Sequence, residues 1–313
     1  MMSAIPPTTA AVKIEKTQYA GWPNCYRISN GEIELVVTTD VGPRVIRYAF
    51  VRGQNLFKEF NEQLGKSSES SWQARGGHRI WMAPEDPVLS YALDNSPIKA
   101  EIKGSVIELT GGIEPETDLQ KQMIVKMAPA GSNVEILHRI TNRGGKSREF
   151  ALWTLTMMAQ RGIGIVPFPP RGTHPKDLLP TNPLVMWAFT DFSDKRWQFT
   201  KKYLLLRQDP KNPVPQKTGL FNTDTVGAYS LGSDLFIKRS TASDARKQPD
   251  FGCSFETFTN DQFLELETLG ELNNVRSGMS VEHTEHWSLH RNIHIASWTD
   301  AELDRVLGPI LKP

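Results

Sequence analysis

Four segments gather residue types that do chemistry. The densest is Arg75-Gly76-Gly77-His78-Arg79-Ile80-Trp81-Met82-Ala83-Pro84-Glu85. Adjacent glycines permit tight backbone geometry. Arg75 and Arg79 offer planar forks of donors suited to vicinal hydroxyls, a carboxylate or a phosphate. Trp81 offers an apolar face on which a ring stacks. His78 exchanges protons near neutral pH, and Glu85 adds a carboxylate. A glycine turn among solvated charges fits the same segment. In the second, Phe263-Leu264-Glu265-Leu266-Glu267-Thr268, a strand would put Glu265 and Glu267 on one face, ~7 Å apart, and both leucines on the other. Half-burial of two like charges raises one pKa, which suits a general acid or base. A solvated outer face fits the spacing as well.

The third segment is Glu282-His283-Thr284-Glu285-His286-Trp287-Ser288-Leu289-His290, with His294 beyond. On a helix, His286, His290 and His294 would share a face and suit zinc. Val281, Thr284 and Trp287 favour a strand instead, with Glu282, Thr284, His286, Ser288 and His290 on one face and His283 and Glu285 on the other. Structural His–Glu pairs, or a polar site wall containing His286, follow from that reading. The fourth, His138, shares a face with Val134, Ile136 and Ile140 and reads as a hydrogen-bonded core residue.

The elements that must position these groups read as strands. Ile33, Leu35 and Val37 alternate behind Asn30-Gly31; Ile46, Tyr48 and Phe50 alternate behind Gly42-Pro43. Ile98–Lys103, Val106–Thr110, Met123–Met127 and Val134–Ile140 continue the pattern. Leu231-Gly232-Ser233-Asp234 and Asn260-Asp261 mark hairpins, and Met279–Arg291 is the last long strand. Val166–Pro183 holds six prolines and Asp209–Gly219 three, so both read as long loops. Thr299-Asp300-Ala301-Glu302 is a capping box before a helix that should stop near Gly308-Pro309. The expected organisation is an arm over 1–20, one large all-β antiparallel sandwich over 21–298 and a helical cap over 299–313.

With 313 residues, the chain can build a core without metal or disulfide. A net charge of +1 gives no electrostatic reason to expect nucleic acid or an anionic membrane as partner. The longest apolar run, Phe150 to Ala159, is about ten residues, and a helical membrane span needs ~20. Its Trp153 is a second indole for ring stacking. Cys25 and Cys253 have neither metal nor redox spacing; two buried thiols are the simpler reading, and a disulfide stays open. The N-terminus lacks a signal-peptide pattern, so a cytoplasmic location is expected, or a secreted or periplasmic one if a signal was removed.

Taken in order, these segments resemble the aldose 1-epimerase (galactose mutarotase-like) superfamily. Glu32–Val45 resembles its first hairpin, and Arg75-Gly76-Gly77 the Arg-Gly-Gly segment of its hexose-phosphate branch, whose Arg contacts substrate. Leu266-Glu267-Thr268 resembles the late Leu-Glu segment that carries the base, and Leu272–Gly278 with Glu282-His283-Thr284 the closing segment. The likeness runs from about Cys25 to Trp298. It implies a β-supersandwich whose concave sheet holds a small-molecule sugar, with no metal or organic cofactor. It also implies that a Glu deprotonates the anomeric hydroxyl while a His protonates the ring oxygen. Glu267 is then the expected base, with Arg75, Arg79, Trp81, Glu85, Trp153, Glu265 and His286 around the sugar. The family's central acid His is missing: Ala151–Met158 holds none, leaving His78 and His286 as candidates. A non-catalytic carbohydrate-binding protein and a supersandwich lyase or hydrolase, with the proline-rich loops walling a groove, are the alternatives.

Overall fold

The computed structural model describes residues 11–311. Period-two patterns become strands because alternate side chains leave opposite faces of the pleat. Ile33, Leu35 and Val37, for example, turn together into the core from the strand Ile33–Thr38. Two large sheets form, of eleven and ten strands, paired antiparallel. The eleven-stranded sheet runs from an edge at Lys13–Tyr19 through Trp22–Ser29, Ile33–Thr38 and Arg44–Phe50. It continues through five strands that matter most here: His78–Ala83, Arg148–Met158, Leu264–Leu269, Phe255–Thr259 and Gln216–Leu220. Asp234–Thr241, Ser280–His290 and Val134–Asn142 are neighbours at the centre of the other sheet. The main core lies between the sheets, where Leu35, Tyr48 and Leu266 meet Val125, Ile136 and Trp287.

The outer face of the ten-stranded sheet is covered by the one α-helix among the described residues, Asp300–Leu311. Leu303 and Leu307, one turn apart, pack on Ile163, Ile165, Leu235 and Ile237. The expected capping box is not made, the Thr299 hydroxyl bonding Ser297 instead. Leu303 N donates to the Thr299 carbonyl, whereas Glu302 accepts from Ala296 N and pairs with Arg305. The helix also runs past its expected stop, with Pro309 inside its last turn.

Two other expectations change. Lys13–Tyr19 is an edge strand rather than an arm, because it finds open hydrogen-bonding partners along Trp22–Ser29; residues 1–10 lie outside the described residues. The second proline-rich stretch ends in a sheet strand, Gln216–Leu220, because Pro210, Pro213 and Pro215 all precede the residues that need a ladder N–H. Cys25 and Cys253 are buried and free, as the simpler of their two readings had it. The hairpin at Leu231–Asp234 and the strand Ser280–His290 form as the pattern requires.

Replacing Leu307 by Ala should cost about 2–5 kcal/mol, since the cavity opens beneath a fully buried side chain. Urea unfolding checks this, and a loss under about 1 kcal/mol would mean the helix contributes little to the fold.

Candidate active site

Strand parity builds a cleft on the open face of the eleven-stranded sheet. Leu264 and Leu266 enter the core, so Glu265 and Glu267 emerge on the opposite face. The same alternation turns Arg79 and Trp81 outward from His78–Ala83, and Trp153, Leu155 and Met157 from Arg148–Met158. Register aligns these into rows. Trp81 lies opposite Trp153; Arg79 lies opposite Leu155, which lies opposite Glu267 and then Glu256; Met157 lies opposite Glu265 and then Phe258. Trp72, Tyr91, Phe189, Pro215 and Phe263 complete a cavity of ≈ 440 Å³.

Its charges are crowded. Lys217 Nζ is 2.8 Å from Glu256 Oε2 and 3.1 Å from Glu267 Oε2, and it lies over the rings of Trp153 and Trp187. Trp153 Nε1 donates to the same Glu267 oxygen at 2.8 Å. Arg79 lies 3.3 Å from Glu265 and stacks on Trp81 with its guanidinium carbon 4.3 Å from the ring centre. Three carboxylates therefore share two cations. Burial pushes Glu256 well above the usual carboxylate range, against the pull of Lys217. Burial also raises Glu265 to about 7; Arg79 opposes the rise and Glu267 adds to it. For Lys217, burial alone would lower the pKa, but Glu256 and Glu267 outweigh it and raise it. Arg79 Nε and Nη1 and Trp72 Nε1 are buried donors without partners.

Of the residues singled out by sequence, Arg79, Trp81, Glu85, Trp153 and Glu265 line this cavity. Glu85 accepts from the Tyr91 hydroxyl at the rim. Glu267 lies beneath the cavity, with no exposed side-chain surface, behind Lys217 and Trp153. Arg75 is a correction. Residues 75–77 all have positive φ, and a Cβ at Gly76 would meet the Lys58 carbonyl at 1.9 Å. This turn points Arg75 inward, where Glu69, Asn95 and the Gln63 and Lys66 carbonyls take its Nη1 and Nη2 donors. His286 is a second correction, being exposed on the outer face of the other sheet, 4.0 Å from Glu135. Lys217, Trp72, Tyr91 and Phe189 gave no sequence signal. Phe263 did, because it shares the parity of Glu265.

His78 is the third correction: its parity sends it into the core, opposite to Arg79. It joins a polar network between the sheets. Lys238 Nζ is 2.7 Å from Glu285 Oε1, which also accepts from Thr154 and Thr268; Trp287 Nε1 donates to Oε2. His138 Nδ1 donates to the His283 carbonyl, so the neutral ring's Nε2 accepts, at 2.7 Å, from His78 Nε2. His78, His138 and Glu285 bring three ligand-type atoms within 4.8 Å of one another. They do not fit a divalent cation as arranged, since the two imidazole nitrogens bond to each other and Lys238 already balances Glu285.

By sequence, no protein-family model and no curated protein matches this chain. Solved structures do. A galactose mutarotase-related enzyme from Lactobacillus acidophilus aligns over 88% of this chain and 98% of its own, at 11% identity and a TM-score of 0.55. A galactose mutarotase-like protein from Lactobacillus casei aligns over 85% and 100%, at 10% and 0.55. A proposed aldose 1-epimerase from Klebsiella pneumoniae aligns over 96% and 86%, at 12% and 0.58. The chain has the galactose mutarotase-like fold, as the resemblance implied. No helix among the described residues is long and apolar enough to cross a membrane.

The core network makes a pH prediction. Burial lowers His138 and His283 to about 4, against the nearby Glu285 charge, which raises them. Unfolded histidine titrates near 6.5, so between pH ~6.5 and ~4 the unfolded chain binds more protons and stability falls with falling pH. Urea midpoints measured from pH 7 to 4 should drop, and less steeply in His138→Gln. Equal slopes in the two proteins would remove His138 from the acid response.

Proposed function

We propose that the cleft binds a sugar and interconverts its anomers, with Glu265 moving the proton. The observation that carries this is a carboxyl at the cavity surface with a pKa of about 7, beside stacking indoles and unpartnered Arg79 donors. No histidine among the described residues lines the cavity, so acid and base roles must fall on other groups. A neutral carboxyl supplies both. One oxygen of Glu265 gives its proton to the ring oxygen while the other accepts the anomeric hydroxyl proton. The bond from C1 to the ring oxygen breaks as C1 gains its carbonyl. Rotation about C1–C2 and the reverse transfer close the other anomer, returning Glu265 to its starting state. Trp81 and Trp153 hold the ring face, and Arg79 hydrogen-bonds an oxygen as its charge grows. Glu267 positions Lys217 and Trp153; it reaches the sugar itself only with Lys217 displaced.

The missing cleft histidine favours a second reading, a binding protein of the same fold. Proton NMR of freshly dissolved single anomers separates the two. Wild type should accelerate interconversion, and Glu265→Gln should lower the rate by about 10²–10⁴-fold with the melting temperature kept. The neutral carboxyl is depleted as pH rises through about 7, so the rate should fall about tenfold per unit above that. A rate rising with pH, or loss in Glu267→Gln with Glu265→Gln fully active, would return the base to Glu267. Saturation transfer to a sugar without acceleration would support the binding protein.

A further inference from the structure

Resting on the reading of the cleft as a sugar site, we propose that its ligand carries two rings: a saccharide bearing a second sugar or an aryl group. The cavity has two apolar platforms with a polar band between them. Trp81 and Trp153, paired across adjacent strands with ring centres 5.4 Å apart, form the first. Phe258 forms the second, with Phe263 5.7 Å and Phe189 6.4 Å from it between ring centres. Glu265 and Arg79 occupy the band.

The platforms are well separated. Trp153 and Met157 are four residues apart on one strand, ~13 Å, and Met157 and Phe258 both flank Glu265 in register. One pyranose resting on Trp81 and Trp153 leaves the phenylalanine end open. Phe258 stands between Glu265 and Lys217 in register, but Lys217 lies over Trp153 and Trp187 and Glu265 pairs with Arg79, which leaves the ring faces of Phe258 and Phe263 without a cation among the described residues; Phe189, 41% exposed, faces solvent above them. Apolar ring faces exposed inside a cavity are stabilised when a second flat ring covers them. Charge balance argues against a phosphate as the second group: Lys217, the cation beside Phe258 in register, is already paired with Glu256 and Glu267.

Calorimetric titration tests the proposal with glucose and galactose, the reducing disaccharides cellobiose, maltose and lactose, and p-nitrophenyl glucosides and galactosides. Two-ring ligands should bind about tenfold tighter than their single-ring parents. Phe258→Ala should erase that gain and leave single-ring affinity within about twofold. Phe258→Leu, which keeps apolar volume without a ring, should erase most of it as well and guards against misfolding of the Ala variant. A gain shared by the disaccharides marks the second platform as a sugar site; one confined to aryl compounds marks it as an aglycone site. Equal affinity for one- and two-ring ligands, or an equal loss of both in Phe258→Leu, overturns the proposal while sparing the sugar reading. Absence of binding by every saccharide overturns both.

Discussion

The ion pair between Lys238 and Glu285 is the interaction on which this structure turns. Both residues are fully buried and both come from the ten-stranded sheet. Moving two charges out of water costs more than their attraction returns unless further hydrogen bonds satisfy them. Those bonds come from the other sheet. Lys238 donates to the Thr154 and Leu266 carbonyls and to the Thr156 hydroxyl, while Thr154 and Thr268 donate to Glu285. A satisfied charge pair therefore specifies how the sheets sit on one another, which an aliphatic core alone does loosely. The strands it grips, Arg148–Met158 and Leu264–Leu269, are the ones whose opposite faces form the cleft floor.

This explains why two kinds of polar chemistry lie back to back across one sheet. A strand is one residue thick, so Thr154, Thr156, Leu266 and Thr268 can serve the core while Trp153, Leu155, Glu265 and Glu267 serve the cleft. A slip of one residue would exchange the two sets, placing glutamates against Tyr48 and Trp287. Core threonines bonded to a buried charge resist that slip, and so hold Glu265 opposite Phe258 and Met157.

What was legible in the sequence follows from the same geometry. Period-two alternation is local, so the all-β class, the hairpins and the shared face of Glu265 and Glu267 could be read directly. So could the strand assignment of Glu282–His290, including which face takes His283 and Glu285. What failed was choosing which face is the cleft, because two-sided burial removes the polar-out signal: all six residues of His78–Ala83 are buried. His78 and Arg79 look alike in sequence, yet one hydrogen-bonds His138 and the other stacks on Trp81. Arg75 looked like a ligand fork because glycines follow it, but Gly76 answers the close approach of the Lys58 carbonyl and Gly77 that of the Val45 carbonyl. Lys217 was hidden because its strand follows three prolines, and its role arises only from strands that meet it more than thirty residues later in the chain.

The cleft's electrostatics follow from this folding of distant segments. Glu256, Glu267 and Lys217 come together beneath Trp153, in a place where water cannot screen them. Of Glu256, Glu265 and Glu267, only Glu265 lines the cavity: burial raises it and Glu267 adds to the rise, while Arg79 at 3.3 Å and Lys217 oppose it. Burial is what lifts a carboxyl toward neutrality, and of the two acids so raised, Glu256 and Glu265, only Glu265 meets the cavity. In the proposed reading, stability and reactivity are thereby divided between neighbouring acids on one strand, with Glu267 holding the floor through Lys217 and Trp153 and Glu265 exchanging a proton with a sugar on the indoles.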